Sequence, residues 1–375
     1  MLSARNGSSP RRLPAVTCLT ILVALLALPV VLRAQEPPPG IAQSLNHLEY
    51  RFIGPANMGG RITDVEGVPG NPDIVYVGTA AAGLLKSTNG GVTWDLLFER
   101  EGTVSVGDLA LDPRNPEVIW LGTGEANLRN SVSFGDGVYK SVDGGKTWHH
   151  LGLRETEHIA RVMVDPLDPA TAYVCAVGHM SAPNEERGVF QTTDGGVTWQ
   201  KIFYLDAKHG CGDFEIDPEN PNILYAAMWR FERQPWNHIS GSTESGLYRS
   251  ADRGKTWARV KGLPALAGRL GVKVASGNPQ VVYVAAESKE GTFYRSNDRG
   301  LSFRETTRSR SVVMRGFYYS DLRVDPQNEN RVYALAVSLS VSEDGGKTWK
   351  STSNETHSDY HALWIDPLKP RRLWQ

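Results

Sequence analysis

An eight-residue motif occurs six times in this chain of 375 residues. Each copy begins with Ser or Thr, has Asp or Asn third and Gly fifth, and closes on an aromatic residue. The copies begin at Ser87, Ser141, Thr192, Ser250, Ser296 and Ser342. Their closing aromatic residues recur every 46 to 58 residues, and a repeat of that period is typical of propellers and solenoids. We therefore expect one array of small units with a continuous core, although the length alone would suggest two or three domains.

A second sequence pattern precedes each motif and indicates the order of the strands. In the second unit it is Asp112-Pro-Arg-Asn-Pro116, which is followed by Val-Ile-Trp-Leu. The residues of Asp-Pro-x-Asn-Pro strongly favour a turn, and runs of β-branched and aromatic residues flank it. Each unit is therefore predicted to contain strand A, the Asp-Pro turn, strand B, a loop, strand C, the eight-residue turn and strand D. Four such strands make one blade of a β-propeller.

The count of units gives the predicted fold. The chain is all-β, with six full four-stranded blades plus the start of a seventh, because Asp366-Pro-Leu-Lys-Pro370 is followed only by a short segment to Gln375. We expect these blades to be part of a larger ring and the chain to be a truncated product. Leu48–Ile53 is a candidate outer strand that helps to close the ring.

The motif resembles the Asp-box, also called the bacterial neuraminidase repeat (BNR). Further segments, namely Ile53-Gly-Pro55 with Gly59-Gly-Arg61-Ile62, Gly122-Thr-Gly-Glu125 and His361-Ala-Leu-Trp-Ile-Asp-Pro367, are similar to large exported bacterial proteins of the sortilin-like group. Asp-boxes occur in sialidases, in xyloglucan-cleaving glycoside hydrolases, in the luminal domains of sortilin-type receptors and in a plant photosystem assembly factor. The resemblance implies a propeller fold, and it implies no single activity.

The N-terminus predicts export. Arg11 and Arg12 precede an apolar run over residues 13–32, and Ala34 is followed by a polar segment, as in a secretory signal. We divide the chain into a signal peptide (1–34), a linker (35–47) and the Asp-box propeller (48–375). The length of the apolar run leaves an uncleaved membrane anchor as an alternative. In either case the propeller is expected outside the cytoplasm, in the periplasm or the extracellular space.

Composition limits the partners. The formal net charge is −1 and the basic residues are dispersed, so we expect neither nucleic acid nor membrane insertion beyond the N-terminal segment. Glycans, peptides or proteins remain as partners, and no motif for a cofactor is present. Outside the signal, Cys175 and Cys211 are the cysteines. We favour buried free thiols over a disulfide for them.

One register of strand A carries repeated charges. The residues four positions before the Asp-Pro turns are Asp64, Asp108, Arg161, Asp213, Gly271, Asp321 and Ala362. Because strand A lines the central channel, we expect these side chains to converge near its mouth. They then either bind a cation, a sugar or water, or cap loops and hold channel water, and we favour the capping role.

The loops between strands B and C predict a binding face. They are long in the second, third and fourth units, over residues 125–136, 178–187 and 229–245, and long loops tend to carry function. The candidate ligand-binding residues are Arg161, Trp229, Arg230, Arg233, Trp236 and His238. Aromatic side chains beside Arg and His suit sugars, peptides and protein surfaces. The alternative is that the tryptophans pack onto neighbouring loops.

Three catalytic hypotheses follow from the same residues. A glycoside hydrolase with two carboxylates has Asp64, Asp108, Asp213, Asp321 and Glu125 as candidates, although the first B–C loop, Thr79–Ala82, lacks the carboxylate that the xyloglucan-cleaving relatives imply. A sialidase would use Arg61, Arg161 and Arg269 with Tyr318 or Tyr319, but the Arg-Ile-Pro motif is missing. Metal catalysis has only the pair Asp359 and His361, and no ligand spacing supports a metal site. We conclude that the sequence predicts an exported binding propeller, with a glycoside hydrolase as the alternative.

Overall fold

A computed structural model describes residues 60–352 and 357–375 of the chain. The signal peptide, the linker and the candidate strand Leu48–Ile53 lie outside these residues, so their boundaries stay predictions. Among the described residues the secondary structure consists of strands and two short 3-10 helices, Arg154–Thr156 and Arg310–Val313. No helix in this part is both long and apolar enough to cross a membrane.

Among the described residues the strands form five antiparallel sheets of four strands, one of five strands and one of two. The first sheet contains β1 (Ile62–Val68), β2 (Asn71–Thr79), β3 (Leu84–Ser87) and β4 (Asp95–Leu96). The second contains β5 (Val106–Asp112), β6 (Asn115–Thr123), β7 (Val138–Ser141) and β8 (His149–His150). The third contains β9 (Ile159–Val164), β10 (Ala172–Ala176), β11 (Gly188–Thr192) and β12 (Gln200–Phe203).

The fourth sheet has an additional strand. It contains β13 (His209–Ile216), β14 (Leu224–Gln234), β15 (Asn237–Ser240), β16 (Gly246–Ser250) and β17 (Ala258–Arg259), where β15 pairs with the end of β14. The fifth contains β18 (Leu270–Val274), β19 (Val282–Ala286), β20 (Phe293–Ser296) and β21 (Arg304–Thr307). The sixth contains β22 (Asp321–Asp325), β23 (Asn328–Leu335), β24 (Leu339–Ser342) and β25 (Lys350–Ser351). The smaller sheet pairs β26 (Trp364–Ile365) with β27 (Leu373–Trp374).

These sheets are the blades of a propeller, as the sequence predicted. Their first strands follow one another around a channel, and β26 contacts both β22 and β1. The two-stranded sheet therefore lies between the sixth blade and the first and occupies a seventh position in the ring. Six full blades and the start of a seventh are confirmed, whereas a still larger ring stays a prediction.

Local side-chain hydrogen bonds explain why the repeated motifs form turns. In the A–B turns, Asp112 Oδ1 accepts a hydrogen bond from the Arg114 amide at 2.9 Å, and Asp217 and Asp325 accept from the amide two residues onward in the same way. In the Asp-box of the third blade, Asp194 Oδ1 accepts from the Thr198 amide at 2.9 Å. These short-range bonds satisfy turn amides that no strand can reach.

The aromatic residue of the Asp-box also joins neighbouring blades. Trp148 and Trp199 donate their Nε1–H to the carbonyls of Leu97 and Leu151 in the preceding blade, at 2.8 and 2.7 Å. Phe303 of the fifth blade lacks this donor and is buried by packing alone. The Asp-box turns and the A–B turns lie at one end of the blades, which we call the turn face. The B–C and D–A loops lie at the other end, the loop face.

Candidate functional site

The charged register of the inner strands converges on one guanidinium. Arg161 of β9 donates from Nε to Asp213 Oδ1 at 2.7 Å, from Nη1 to Asp108 Oδ1 at 3.0 Å and from Nη2 to Asp321 Oδ1 at 2.9 Å. Arg323 forms a further ion pair with Asp321. The expected convergence of charges is therefore present, and the cation at its centre is the Arg161 guanidinium.

We call the charged groups Asp64, Asp108, Arg161, Asp213 and Asp321 the channel ring, and three of its carboxylates also accept from backbone amides of the next blade. Asp64 Oδ2 accepts from the Leu109 amide at 3.1 Å, Asp108 Oδ2 from the Val162 amide at 2.7 Å and Asp213 Oδ2 from the Val272 amide at 2.8 Å. Each amide follows the equivalent register position of the neighbouring blade. The ring thus joins inner strands that have no β-ladder between them. This differs from the role that the sequence favoured, in which the Asp residues cap loops and hold channel water, because their partners are a buried arginine and amides within strands.

The pKa values of the ring follow from burial and from distance to the arginines. Burial raises the pKa of Asp108 to about 7, and Asp64 adds to this shift while Arg161 opposes it. For Asp321 burial acts in the same direction, but the combined field of Arg161, Arg323 and Lys273 holds its pKa below the ordinary value. A glycosidase needs two carboxylates that flank its substrate. The carboxylates of the ring are already bound to arginines or backbone amides, so they do not provide such a pair.

Glu125, the fifth catalytic candidate, lies at the loop face in a bidentate ion pair. Its Oε1 accepts from Arg61 Nε at 2.6 Å, and its Oε2 accepts from Arg61 Nη2. The carboxylate side chain is fully buried. Burial raises its pKa, and the hydrogen bonds from Arg61 oppose this rise. This ion pair ties the second blade to the first.

The B–C loop of the second blade, residues 125–136, crosses the mouth of the channel, and we call it the crossing loop. Asn127 Oδ1 accepts from Arg269 Nη1 of the fifth blade at 2.9 Å. The Arg129 guanidinium lies 5.8 Å from the ring centre of Tyr318, which precedes the sixth blade. Asn130 accepts a hydrogen bond from Arg233 of the fourth blade. The loop that the sequence selected by length therefore closes the channel at the loop face.

Trp229 does not belong to the exposed surface that its sequence context suggested. It lies in β14, its side chain is fully buried, and its Nε1–H donates to Ser240 Oγ at 3.1 Å. The Arg269 guanidinium covers its ring at 5.6 Å. The expectation that Trp229 contacts a ligand is wrong, because β14 continues into a hairpin with β15 that buries it.

The other candidates on this hairpin lie nearer to the surface. Trp236 at its tip is 81% exposed. His238 is exposed and its ring lies 4.6 Å from that of Phe317. Arg233 joins the crossing loop through Asn130, and the Arg230 Nε atom is buried without a hydrogen-bond partner among the described residues. Arg161 lies within the channel ring, away from this surface.

Arg269 is one of two buried arginines among the described residues of the loop face, the other being Arg187. It is only 8% exposed, and its Nη1 donates to neutral acceptors, Asn127 Oδ1 and, at 3.5 Å, the Tyr318 carbonyl. It has no ion pair with a carboxylate in the described part of the chain. Burial lowers its pKa to about 10. In contrast, the other two arginines of the sialidase hypothesis are neutralised, Arg61 by Glu125 and Arg161 by the channel ring, so the three do not form one free anion site.

The remaining pair, Asp359 and His361, packs against the tyrosines before β22. Tyr319 donates its hydroxyl to Asp359, and the His361 ring stacks on Tyr319 with centroids 4.8 Å apart. Burial lowers the pKa of His361 to about 3. No group of three or more His, Cys, Asp or Glu within residues 60–352 and 357–375 is placed to hold a metal ion.

The two cysteines form a disulfide, which corrects the expectation of free thiols. Cys175 of β10 and Cys211 of β13 are joined with their Cα atoms 5.1 Å apart. Both side chains are fully buried between the third and fourth blades. The sequence could not show this, because strand contexts one blade apart suit packing as well as bonding.

Known proteins share this architecture. The family model Sortilin-Vps10, described as sortilin, neurotensin receptor 3, matches residues 245–369. The structure of the GH74 xyloglucanase from Xanthomonas campestris aligns with a TM-score of 0.60 at 17% identity, over 84% of this chain and 50% of that one. A structure of YCF48 bound to D1 peptide aligns with a TM-score of 0.55 at 15% identity, over 84% and 89% of the two chains.

The chain is a β-propeller whose residues 245–369 resemble the Sortilin-Vps10 family. Its sequence is similar to xyloglucanase Xgh74A from Acetivibrio thermocellus, 26% identical over 204 residues, which is 45% of this propeller chain and 23% of the relative. A probable oligoxyloglucan-reducing end-specific xyloglucanase from Neosartorya fischeri is 27% identical over 199 residues, which is 47% of this chain and 23% of that protein. The propeller thus spans about a quarter of the length of these relatives.

Asn127, Arg129 and Glu287 are site residues that sequence reasoning missed. Asn127 and Arg129 were included only as part of a long loop. Glu287 accepts hydrogen bonds from the Arg269 amide at 3.0 Å and from Ser240 Oγ at 2.6 Å. The Asn127 and Arg129 contacts join distant blades, and those of Glu287 lie within the fifth blade and between it and the fourth, so no repeated sequence pattern signals them.

Proposed function

We propose that this propeller is an exported binding protein that captures an acidic segment of a peptide or protein on its loop face. The binding surface comprises the crossing loop and the β14–β15 hairpin. The observation that carries the proposal is Arg269, a buried guanidinium whose side-chain acceptors are neutral. A buried charge is costly unless an opposite charge accompanies it. The carboxylates of Asp213, Asp321 and Glu287 act on this charge from nearby, and a carboxylate supplied by a ligand would add a direct ion pair.

The charge balance of the surface supports an acidic partner. Arg129, Arg230, Arg233 and Arg315 belong to the same face, and the described residues offer no ion pair to any of them. Glu125 is already neutralised by Arg61. Guanidinium groups bind carboxylates through paired, charge-assisted hydrogen bonds. Arginines that have no ion pair with a carboxylate therefore favour a segment that contains Asp or Glu, or a free C-terminus.

Exposed aromatic side chains supply apolar contacts beside these charges. Trp236 is 81% exposed at the hairpin tip and Phe134 is 59% exposed in the crossing loop. Trp and Arg are the residues that most often dominate the energy of protein interfaces. The peptide-bound structure of YCF48, which has a similar fold, shows that a propeller of this kind can serve as a binding module.

Export has two supports. The N-terminal sequence has the pattern of a secretory signal. The Cys175–Cys211 disulfide lies in the propeller itself, and disulfides persist mainly in oxidising compartments.

A glycoside hydrolase is the second candidate, and it rests on the sequence similarity to xyloglucanases. The carboxylates available to it are committed to Arg161, to backbone amides or to Arg61, as described above. Hydrolysis of xyloglucan by the purified propeller, lost on heat denaturation, would favour this candidate over the binding protein.

The proposal is tested with an array of immobilised peptides that differ in acidic content and in having a free or amidated C-terminus. We expect acidic peptides to be retained, and Arg129→Ala and Trp236→Ala each to weaken retention at least about tenfold. Arg304→Ala and Leu301→Ala are the matched controls, because both residues are exposed on other parts of the propeller. Equal retention of acidic and amidated neutral peptides, or unchanged retention in both test variants, would contradict the proposal. A neutral oligosaccharide that binds in their place would identify a glycan partner.

A further inference from the structure

A chain of two hydrogen bonds joins the side chains of an acid, a histidine and a serine at the loop face. His209, the first residue of β13, has Nδ1 2.8 Å from Asp206 Oδ1 and Nε2 2.7 Å from Ser242 Oγ. Asp206 lies in the D–A loop before β13, and Ser242 lies in the B–C loop of the same blade. An acid on one ring nitrogen and a hydroxyl on the other is the arrangement of a Ser-His-Asp triad, which is recognised by its geometry and not by sequence order.

The acid fixes which nitrogen of the histidine carries the proton. Asp206 Oδ1 also accepts hydrogen bonds from the amides of Lys208 and His209, at 2.7 and 3.1 Å. Burial acts to raise the pKa of Asp206, but the hydrogen bonds from the His209 ring and from these amides outweigh it and hold the pKa below its ordinary value. Because an ionised carboxylate can only accept, Nδ1 is the protonated nitrogen, and Nε2 is left to accept the proton of Ser242.

The serine hydroxyl is directed at the histidine by its other neighbours. Ser242 Oγ accepts from the amides of Glu244 and Ser245 at 3.1 and 3.0 Å, and the Ser245 hydroxyl lies 3.2 Å away. Because the amides are donors, the hydroxyl proton of Ser242 is directed to Nε2 of the histidine. The same donors stabilise negative charge on Oγ, which favours loss of the proton to the histidine.

Two arginines hold the backbone on both sides of the histidine–serine bond. Arg259 donates from Nη1 to the Thr243 carbonyl at 2.6 Å and from Nη2 to the Ser245 carbonyl at 3.0 Å. The buried Arg187 donates from Nη1 to the Lys208 carbonyl at 3.1 Å, directly before the histidine. These bonds fix the two loop segments relative to the blade. A catalytic group needs this kind of support, because small displacements of the reacting atoms cost large factors in rate.

The surroundings of the serine suit a small ester. Ser242 is 8% exposed, and Thr243 after it is exposed. No hydrogen bond from the Thr243 amide occurs within the described residues, and an amide directly after the nucleophile is a common donor to the oxyanion of acyl transfer. The Ser242 amide donates to the Ala267 carbonyl at 3.3 Å, and the neighbouring Leu266 is 57% exposed. Leu266 therefore offers an apolar contact to an ester close to the serine.

We propose that Asp206, His209 and Ser242 form a catalytic triad that hydrolyses small carboxylic esters. Ser242 Oγ adds to the ester carbonyl carbon while His209 Nε2 takes the hydroxyl proton, and the Thr243 amide stabilises the oxyanion. The tetrahedral intermediate then expels the alcohol, which receives the proton from Nε2, and leaves the acyl group on Ser242. Water attacks this acyl group with His209 as the base, so that the carboxylic acid is released and the serine is restored. The activity does not depend on the acidic-peptide surface proposed above.

Hydrolysis of p-nitrophenyl acetate by the purified propeller tests this proposal, together with phenylmethanesulfonyl fluoride as a covalent probe of the serine. We expect turnover that the sulfonyl fluoride abolishes, and peptide mass spectrometry should find the sulfonyl group on Ser242. Ser242→Ala should remove both the turnover and the label. Asp206→Asn should lower kcat/KM at least about tenfold, whereas Asp95→Asn makes the same change at an exposed position of β4 and should leave it unchanged.

The Asp206 variant guards against loss of folding, because this side chain is half exposed and the thermal transition should be retained. Retention of acidic peptides should survive sulfonylation of Ser242, so this proposal and the peptide proposal fail independently. Absence of turnover in the wild-type protein, a label that is not on Ser242, or unchanged kcat/KM in folded Asp206→Asn protein would overturn the triad.

Discussion

Arg269 donates a hydrogen bond from Nη1 to Asn127 Oδ1 at 2.9 Å, although the two residues belong to the fifth and second blades and are 142 positions apart. This bond holds the crossing loop over the channel, and its acceptor, the Asn127 side-chain oxygen, is neutral. Among the described residues Arg269 has no direct ion pair, although the carboxylates of Asp213, Asp321 and Glu287 act on its charge. The same contact therefore closes the channel mouth, and it underlies the proposal of an anionic partner at the loop face.

The channel ring is expected to be structural, so its central arginine should be indispensable for stability. Arg161→Met removes three ion pairs and leaves buried carboxylates without a counterion. We expect the free energy of unfolding to fall by about 3 to 5 kcal/mol. Urea denaturation measures it, and Arg304→Met, at an exposed position of an outer strand, should change it by less than about 0.5 kcal/mol. A folded Arg161→Met protein of unchanged stability would show that the ring does not hold the blades together.

Substitution of Trp229 should affect stability, whereas substitution of Trp236 should affect peptide binding. Trp229→Ala removes a fully buried ring and should lower the free energy of unfolding by about 3 to 5 kcal/mol. Trp236→Ala alters an exposed ring and should leave stability within about 0.5 kcal/mol while weakening peptide retention. Thermal denaturation and peptide binding are measured on both variants. The assignment fails if Trp236→Ala is the destabilised variant.

The disulfide should be detectable in the native protein and should contribute to its stability. Alkylation of denatured, unreduced protein is expected to leave Cys175 and Cys211 unmodified. Cys175→Ala combined with Cys211→Ala should lower the free energy of unfolding by about 2 to 4 kcal/mol. Two alkylated thiols in these positions would argue against the bond and would remove one support for export.

A buried histidine should make the propeller sensitive to mild acid. Burial lowers the pKa of His158 to about 3, whereas an unfolded chain has a histidine pKa of about 6.5. Between these values the unfolded state binds more protons, so this residue makes the free energy of unfolding fall as the pH falls. Asp108, whose pKa is raised to about 7, acts in the opposite direction over the same range.

The comparison with His158→Leu isolates the histidine. From pH 7 to pH 5 the wild-type protein should lose stability relative to this variant, as measured by urea denaturation at both values. Parallel changes in the two proteins would mean that His158 titrates normally in the folded state.

The sequence was sufficient to predict the propeller fold because the turns that define each blade are encoded by residues close together in the chain. An Asp that binds the amide two residues onward, as Asp112 does with Arg114, defines a turn wherever it occurs. The six Asp-boxes also supplied the register in which Asp108, Arg161 and Asp213 align. Their convergence in the channel followed from strand A lining it.

What the sequence did not reveal depends on contacts across the ring. Arg161 reaches Asp321 over 160 positions, so the neutralisation of the acidic register was invisible in any single repeat. Trp229 was placed in an exposed loop because, among the described blades, only the fourth extends its second strand into a hairpin such as that of β14 and β15. The free thiols were favoured because strand contexts alone do not give the distance between Cys175 and Cys211.

Hydrogen–deuterium exchange with and without a retained acidic peptide tests the location of the binding site most directly. We predict slower exchange on binding at the crossing loop, residues 125–136, and at the hairpin of β14 and β15. The Asp-box turns at the opposite end should be unchanged. Protection confined to those turns or to the A–B turns, with none at the crossing loop, would contradict a binding surface on the loop face.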